Sequence, residues 1–587
     1  MSSKHFIHDP TKLVIGSLTS CTLVNPSIGF QHDDKIVYRK VPSFESPRVS
    51  IVSGGGSGHE PGFAGYVGKG LLTAAVSGSI FALPSAKQVR KCLEYVPTDR
   101  GVLVLIMNYT GDVLNFGMAM EDARANDIKS EMIAVGDDVA VGRTKSGKVG
   151  RRGLAGIVLI MKACGELAAR GYSLQQVYQL AQEISANTAT VGASLDRVNV
   201  PGRQLQAEPL PGTKIELGMG IHNESGHEQV DMELPALVKT MLQQLLVAFD
   251  NERGFISVKP KDSIVLLVNN LGGISPLELG AISTEVCKQL QDTYDMNPAR
   301  VFTGPFLTSL NGSGFSISLL KCTPVMFDTS ISVIDLLDAP CEAAAWPVSC
   351  PPPAPETEFF AMKPTRDKEK FAASTTSFLR VDTEAAKRVL SAGLRRLIDA
   401  EPAITQFDTI VGDGDCGSNM RRGAEAVLCS LQDIIEAVDA IDLVGVIKDV
   451  VETSMDGTSG ALFTIFLIGV SQGLRRIEGE HQEMDAKSWS LAFKHGLATL
   501  GRYSPAQPGD RTMMDALVPF IEVLAATLNI TEAVLAARAG TEQTKYMKAS
   551  LGRSVYVGTE SDWIGKVPDP GAYAVSEFLQ GTLDAVK

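Results

Sequence analysis

The 587-residue chain lacks the marks of several large protein classes, and each absence narrows what it can be. Its nine cysteines form no C-x-x-C pair, so neither a zinc ribbon nor a disulfide framework is suggested, and reduced thiols are expected. No long basic run is present, and 54 Lys and Arg against 67 Asp and Glu give a net charge of −13, so the electrostatic footprint of a nucleic-acid binder is missing. The opening residues Met1-Ser-Ser-Lys-His-Phe-Ile-His-Asp-Pro10 contain no continuous apolar core of the signal-peptide kind, and Leu583-Asp-Ala-Val-Lys587 is no peroxisomal signal, so a cytoplasmic location is expected. The apolar stretch Gly460–Val470 falls short of the ~20 residues needed to cross a bilayer and reads as a buried helix, so no membrane partner is expected. With 44% hydrophobic and 21% charged residues the chain has ordinary globular composition, and its length suits several hydrophobic cores in roughly three or four units.

What is present begins with a boundary. Pro347–Pro355 holds five prolines in nine residues, which rules out helix and favours an extended spacer, placed here over residues 346–372. Upstream, over 1–345, β-branched runs alternate with helical stretches: Val49–Val52, Val102–Ile106, Met132–Val135, Ile264–Val268 and Ser316–Leu320. That alternation predicts an α/β region, and several strands end in Gly, Asn or Asp, where open sheets bind ligands. Downstream, over 373–587, the spacing of Val389, Leu390, Leu394, Leu397 and Ile398, and of the run Met514–Leu528, is helical, which predicts an all-α region broken by Gly/Asp-rich loops.

Four segments carry candidate chemistry. Ser53-Gly-Gly-Gly-Ser-Gly-His-Glu-Pro61 follows a strand and reads as a loop whose glycine N–H groups wrap a small polar ligand, with His59 at its end; a flexible linker and a structurally satisfied histidine are the plainer readings. Asn108-Tyr-Thr-Gly-Asp112 sets a carboxylate after a strand, where Asp112 is either a base for a hydroxyl attacking phosphorus or a helix cap. Gly218-Met-Gly-Ile-His222 offers an imidazole able to add to a carbonyl, although alone it would serve as readily in structure. Asp408, Asp413 and Asp415 form D-x-x-x-x-D-x-D, three mutually repelling carboxylates that make sense around hard cations such as Mg²⁺ on nucleotide phosphates; the spacing does not meet the calcium-loop pattern. Gly457-Thr-Ser-Gly460 adds donors at a predicted helix start, and Arg511 and Arg553 are cations able to neutralise phosphate. Gly142-Arg-Thr-Lys-Ser-Gly-Lys-Val149 imitates a P-loop but has Val149 where the Mg²⁺-binding hydroxyl belongs, and no G-x-G-x-x-G is completed.

Taken together, the order and spacing of Ser53–Pro61, Asn108–Asp112, Arg151-Arg-Gly-Leu-Ala-Gly156, Gly218–His222, Gly412–Gly417, Gly457–Leu462, Pro508–Asp515 and Asp569–Ala572 resemble the dihydroxyacetone kinase family in its single-chain, ATP-dependent form, over nearly the whole chain. The resemblance implies a substrate domain of two α/β subdomains, divided near residue 195, and a nucleotide domain built as a helical barrel holding ATP and two Mg²⁺. It implies that His222 forms a hemiaminal with the substrate carbonyl, that Asp112 activates the terminal hydroxyl and that His59 polarises the bound ketone. The backbone of Gly54, Gly55, Gly56, Ser57 and Gly58 would cradle dihydroxyacetone, with glyceraldehyde a further candidate. Asp408, Asp413 and Asp415 match the Mg²⁺ ligands. Cys416, Gly417, Ser418, Asn419, Thr458, Ser459, Ser504, Thr512, Met513, Arg553, Asp569, Pro570 and Gly571 match the nucleotide pocket. Two positions depart from the family pattern: Met107 stands where a substrate-touching Lys is common, and Ser504 where a Gly is common. A homodimer, with the linker carrying each nucleotide domain to the partner, is a further implication. Cyclising FAD cleavage, which some members perform, and a non-catalytic sensor role stay open as alternatives.

Overall fold

Apolar runs of five to eight residues become strands, and most of them are buried on both faces. In the computed structural model the described residues are 5–202, 210–246, 250–347, 379–433, 439–477, 484–551 and 563–586. The chain divides into two compact units, Met1–Phe359 and Phe360–Lys587. Of the predicted spacer only Trp346 and Pro347 fall among the described residues.

The first unit holds two six-stranded mixed sheets. One contains β1 (Ile28–Gln31), β2 (Ile36–Arg39), β3 (Ser50–Ser57), β4 (Ala74–Ile80), β5 (Val102–Met107) and β6 (Ser130–Val135), in the order β1-β2-β4-β3-β5-β6, with β4, β3, β5 and β6 parallel. The other contains β7 (Thr188–Ser194), β8 (Ile215–Leu217), β9 (Glu228–Val230), β10 (Ile264–Asn270), β11 (Arg300–Gly304) and β12 (Gly314–Lys321), in the order β11-β10-β12-β7-β8-β9, where only β10 and β11 run parallel. The period of two sorts their side chains. Leu103, Leu105 and Met107 of β5 and Val265 and Leu267 of β10 enter one core shared by both sheets, around the buried helix Ile157–Ala169. The alternate residues Val102, Val104 and Ile106 pack with the helices Ala86–Glu94 and Thr110–Ala125, while Ile264, Leu266 and Val268 pack with the helices Leu234–Leu246 and Pro276–Tyr294. Helix-covered faces on both sides explain the continuous apolar runs.

The glycine segment differs from its sequence reading. β3 continues through Ser57, so Gly54, Gly55 and Gly56 are strand residues rather than a loop. The physical reason is close approach: a Cβ on Gly54 would stand 2.3 Å from the Val76 carbonyl oxygen of β4, and one on Gly56 would stand 2.9 Å from the Ala82 nitrogen.

The second unit is all-helical. Its helices are Thr383–Asp399, Glu401–Val411, Cys416–Asp433, Ala440–Ser454, Gly457–Ile477, Ala486–Leu500, Met514–Thr527, Ile530–Gln543 and Pro570–Val586. Neighbours pack in sequence, and the last lies against the first, closing a ring. At that closure Gly581 admits the Ala392 carbonyl, which a Cβ would meet at 2.6 Å. The helix Gly457–Ile477 runs for 21 residues, longer than the apolar stretch Gly460–Val470 seen in the sequence, and by length and composition alone it would span a bilayer. Its Phe466, Val470, Leu474 and Ile477 instead enter the core of this unit.

Candidate active site

Three strand ends in the first unit converge on one imidazole. β3 leads to His59, which is 0% exposed; β5 leads to Asn108 and Tyr109 and to the helix bearing Asp112 in its first turn; and the turn between β8 and β9 carries His222. The ring nitrogens Nε2 of His59 and His222 lie 3.0 Å apart. His59 Nδ1 donates to the Thr308 carbonyl at 2.8 Å, and His222 Nδ1 donates to Glu224 Oε1 at 3.0 Å, which fixes a proton on each Nδ1. Two Nε2 lone pairs therefore face each other unless one proton sits between them. Glu224 Oε2 also accepts the backbone N–H of His222 at 2.9 Å, so a single carboxylate grips both the ring and the main chain of the same residue. Around the His222 ring stand His59, Phe81 and Tyr109, with centroids 4.8, 5.3 and 4.9 Å away.

The electrostatics divide the groups by role. Burial, reinforced by the charge of His222, pushes His59 down to about 3, so it is neutral at working pH. Burial raises Glu224, but the hydrogen bond from His222 and the charge of that ring outweigh it and hold the carboxyl at about 2. Burial lifts Asp112 to about 6, with the charge of His222 opposing. The helix Thr110–Ala125 has Tyr109 at its N-cap and no side-chain cap, and Asp112 Oδ1 is buried with no hydrogen-bond partner. A carboxylate oxygen in that state suits a base awaiting a hydroxyl.

Arg151–Gly156 braces this arrangement. Asp137 accepts from Leu154 N and Gly156 N at 2.6 and 2.9 Å, while Arg152 pairs with Asp138 at 2.8 Å and donates to the Gly218 carbonyl at 2.8 Å, tying the segment to the one that bears His222. Asn108 Nδ2 donates to the carbonyls of Val149 and Arg151, which gives the P-loop imitation its place. Only Arg143–Ser146 of that imitation is helical.

Several expected contacts are arranged differently. Met107 is 3% exposed and packs in the shared core, because the pleat of β5 puts residues 103, 105 and 107 on that side, so it lines no open surface. The Cβ positions of Gly54, Gly56 and Gly58 are met by protein atoms at 2.9 Å or less, so packing accounts for these glycines by itself; Ser57 Oγ donates to the Gly78 carbonyl.

In the helical unit Asp408, Asp413 and Asp415 each present an oxygen within 4.8 Å of the others. The donor set is hard oxygen only, which fits Mg²⁺ and disfavours softer ions. Asp408 also accepts the Cys416 N–H at 3.0 Å, which joins the cluster to the start of the helix Cys416–Asp433. Cys416 neighbours two more of the residues expected to line a nucleotide pocket: burial first, then Asp408 and Asp569, push its thiol to about 12, and its side chain hydrogen-bonds Ser459. The glycine that follows it, Gly417, is buried, and Ser418 donates to the Asp415 carbonyl. Asn419 exchanges hydrogen bonds with the main chain of Asp456, which locks the turn before Gly457 and Thr458. Asp569 accepts Ala572 N at 2.7 Å at the start of the helix Pro570–Val586, and Gly571 lies against Met513. Thr512 N donates to Asp515, and Ser504 is half-buried beyond the helix Ala486–Leu500. Arg553 lies outside the described residues. Arg511 is not the open cation the sequence suggested: it is 1% exposed, donates to the carbonyls of Thr544 and Val567, and stacks its guanidinium 4.1 Å over Trp563. Only its buried Nη1 has no partner.

Sequence reasoning missed Glu224, Tyr109 and Thr308. Glu224 had a faint signal, a carboxylate two residues after a candidate nucleophile. Thr308 had none.

Known proteins resemble this chain along its whole length. The Dak1 domain family model matches residues 19–345, and the DAK2 domain model matches 410–584. Dihydroxyacetone kinase of Pichia angusta is 41% identical, with 100% of this chain and 99% of that protein covered. Triokinase/FMN cyclase of Homo sapiens is 32% identical, with both chains covered in full. The crystal structure of the dihydroxyacetone kinase from C. freundii in complex with AMP-PNP and Mg²⁺ superposes with a TM-score of 0.65 at 29% identity, covering 99% of this chain and 100% of that one.

Proposed function

This chain belongs to the dihydroxyacetone kinase family, in its single-chain, ATP-dependent form, and on that premise we propose how its own residues carry the transfer. His222 Nε2 adds its lone pair to the ketone carbon, the carbonyl π electrons move to oxygen, and the resulting alkoxide takes a proton from solvent while the Glu224 carboxylate balances the positive charge left on the ring. The result is a hemiaminal that fixes the substrate by a covalent bond. Glu224 keeps the proton on Nδ1, so the reactive lone pair is always on Nε2. Asp112 then takes the proton of the terminal hydroxyl as that oxygen attacks phosphorus. Asp408, Asp413 and Asp415 would hold Mg²⁺, two ions on this reading, which supplies positive charge to the phosphates.

The observation that carries the reading is the pairing of a carboxylate-gripped imidazole with a buried, unpartnered Asp112 oxygen. It is tested by a coupled assay with Mg-ATP and four candidate substrates: dihydroxyacetone, glyceraldehyde, glycerol and FAD. Dihydroxyacetone should turn over and glycerol should not, since glycerol has no carbonyl for His222. Equal turnover of glycerol overturns covalent capture. Formation of cyclic FMN from FAD would add the second activity in the name of the human relative.

A further inference from the structure

The loop that carries His59 has a second face. A cavity of ≈ 430 Å³ opens there, walled by Leu13, Val14, Ile80, Leu310, Thr308 and Glu60, while His59, His222 and Asp112 do not line it. Volume and aliphatic character are those of a small-molecule site, which ordinarily adds a few polar groups to fix orientation. Here the carboxylate is Glu60, on a lining that also holds His5, Ser17, Ser57, Thr308 and Asn311. Its carboxylate accepts the Gly58 N–H at 2.9 and 3.2 Å, no cation among the described residues pairs with it, and burial pushes its pKa up. An uncompensated carboxylate against an aliphatic wall is costly, and a cation that brings its own apolar body relieves both the charge and the exposed surface. A metal ion would find only one carboxylate on this lining and would leave the aliphatic wall uncovered, and an anion would be repelled by Glu60.

We propose that this cavity binds a small primary alkylammonium ion, with the ammonium on Glu60 and the aliphatic body against Leu13, Val14, Ile80 and Leu310. Occupancy is felt at the kinase site through Thr308. The Thr308 hydroxyl donates to the Glu60 carbonyl at 2.7 Å, and the Thr308 carbonyl receives His59 Nδ1 at 2.8 Å, so the cavity wall and the anchor of the catalytic imidazole are one residue. Gly58 adds a second link, since its N–H is held by Glu60 and its carbonyl accepts Leu310 N at 2.7 Å.

The test titrates full-length protein with n-butylammonium chloride by calorimetry, beside sodium n-butyrate as the oppositely charged analogue of equal length. Saturable binding of n-butylammonium and none of n-butyrate is expected. Glu60→Gln should weaken binding by about tenfold or more, the usual scale of a lost charge-assisted hydrogen bond. Ser17→Trp fills the cavity from the helix Pro10–Val24 and leaves the carboxylate in place, so it tests the site even if Glu60→Gln does not fold, and it should abolish binding. Absence of saturable binding, equal binding of n-butyrate, or full affinity in Ser17→Trp overturns the site. Saturating n-butylammonium should also shift the KM for dihydroxyacetone at least twofold, and an unchanged KM overturns the link through Thr308.

Discussion

Lowering pH from 7.5 to 5.0 should cost this enzyme about an order of magnitude in kcat/KM for dihydroxyacetone, and the cause is the burial of one carboxyl. Asp112 must be deprotonated to accept the hydroxyl proton, and burial sets its pKa at about 6. The deprotonated fraction is then ~97% at pH 7.5 and ~9% at pH 5.0, whereas at the ordinary value of 3.8 it would still exceed ~90% at pH 5.0. Glu224 at about 2 and His59 at about 3 titrate below this window and leave it clear. Asp138 and Asp569 are also lifted to about 6, so assignment rests on a variant. Asp112→Asn should lower kcat by about 10²–10⁴-fold and lose the acid limb, with Mg-nucleotide affinity unchanged. Initial rates at saturating Mg-ATP and constant ionic strength provide the assay. A profile flat within twofold from pH 5.0 to 7.5, or an Asp112→Asn enzyme at full rate, refutes the reasoning. Stability runs the other way: a carboxyl whose folded pKa is raised stabilises the fold below its unfolded value and loses that contribution as pH climbs through about 6.

Other expectations concern single residues. His222→Ala should lose dihydroxyacetone affinity and the discrimination against glycerol together; wild-type kcat/KM would make the residue structural. Glu224→Gln should reduce kcat/KM about tenfold, less than the shift of its pKa implies, because its side chain is 35% exposed and solvent screens the pair; a change confined to protein stability would deny it a part in orienting His222. Asp413→Ala and Asp415→Ala should each abolish Mg²⁺-dependent ADP binding in calorimetry, and unchanged affinity would remove them as metal ligands. Gly54→Ala should cost about 1–3 kcal/mol in denaturant unfolding, because the new methyl meets the Val76 carbonyl; a neutral result would show that β4 can retreat.

The parts legible in the sequence were those set by local pattern. Runs such as Val102–Ile106 and Ile264–Val268 are strands because alternate residues feed different cores, and a stretch apolar at every position signals that without any knowledge of neighbours. Motif glycines and aspartates were equally visible. What could not be read was long-range closeness. The extension of β3 through Ser57 depends on the backbone of β4, the enclosure of Arg511 depends on carbonyls 33 and 56 positions away, and the bracing of Gly218 depends on Arg152, 66 positions earlier. A lone arginine in a Gly/Asp-rich loop looks the same in sequence whether it meets solvent or the interior. Glu224 escaped because nothing in an acid-rich chain marks one carboxylate as the partner of one imidazole.

The hydrogen bond from His59 to the Thr308 carbonyl spans 249 positions, and it puts a clock on the protein's birth. A nascent chain that has emerged as far as residue 300 already owns the glycine strand, Asp112, His222 and Glu224. It still lacks the carbonyl that decides which nitrogen of His59 bears hydrogen, and the Leu310 N–H that holds the Gly58 carbonyl. Until β12, which follows them, has threaded between β10 and β7, that stretch has no fixed seat in its sheet. The seat of His59 is thus completed late in translation, after every other group named at this site in the first unit has already been made.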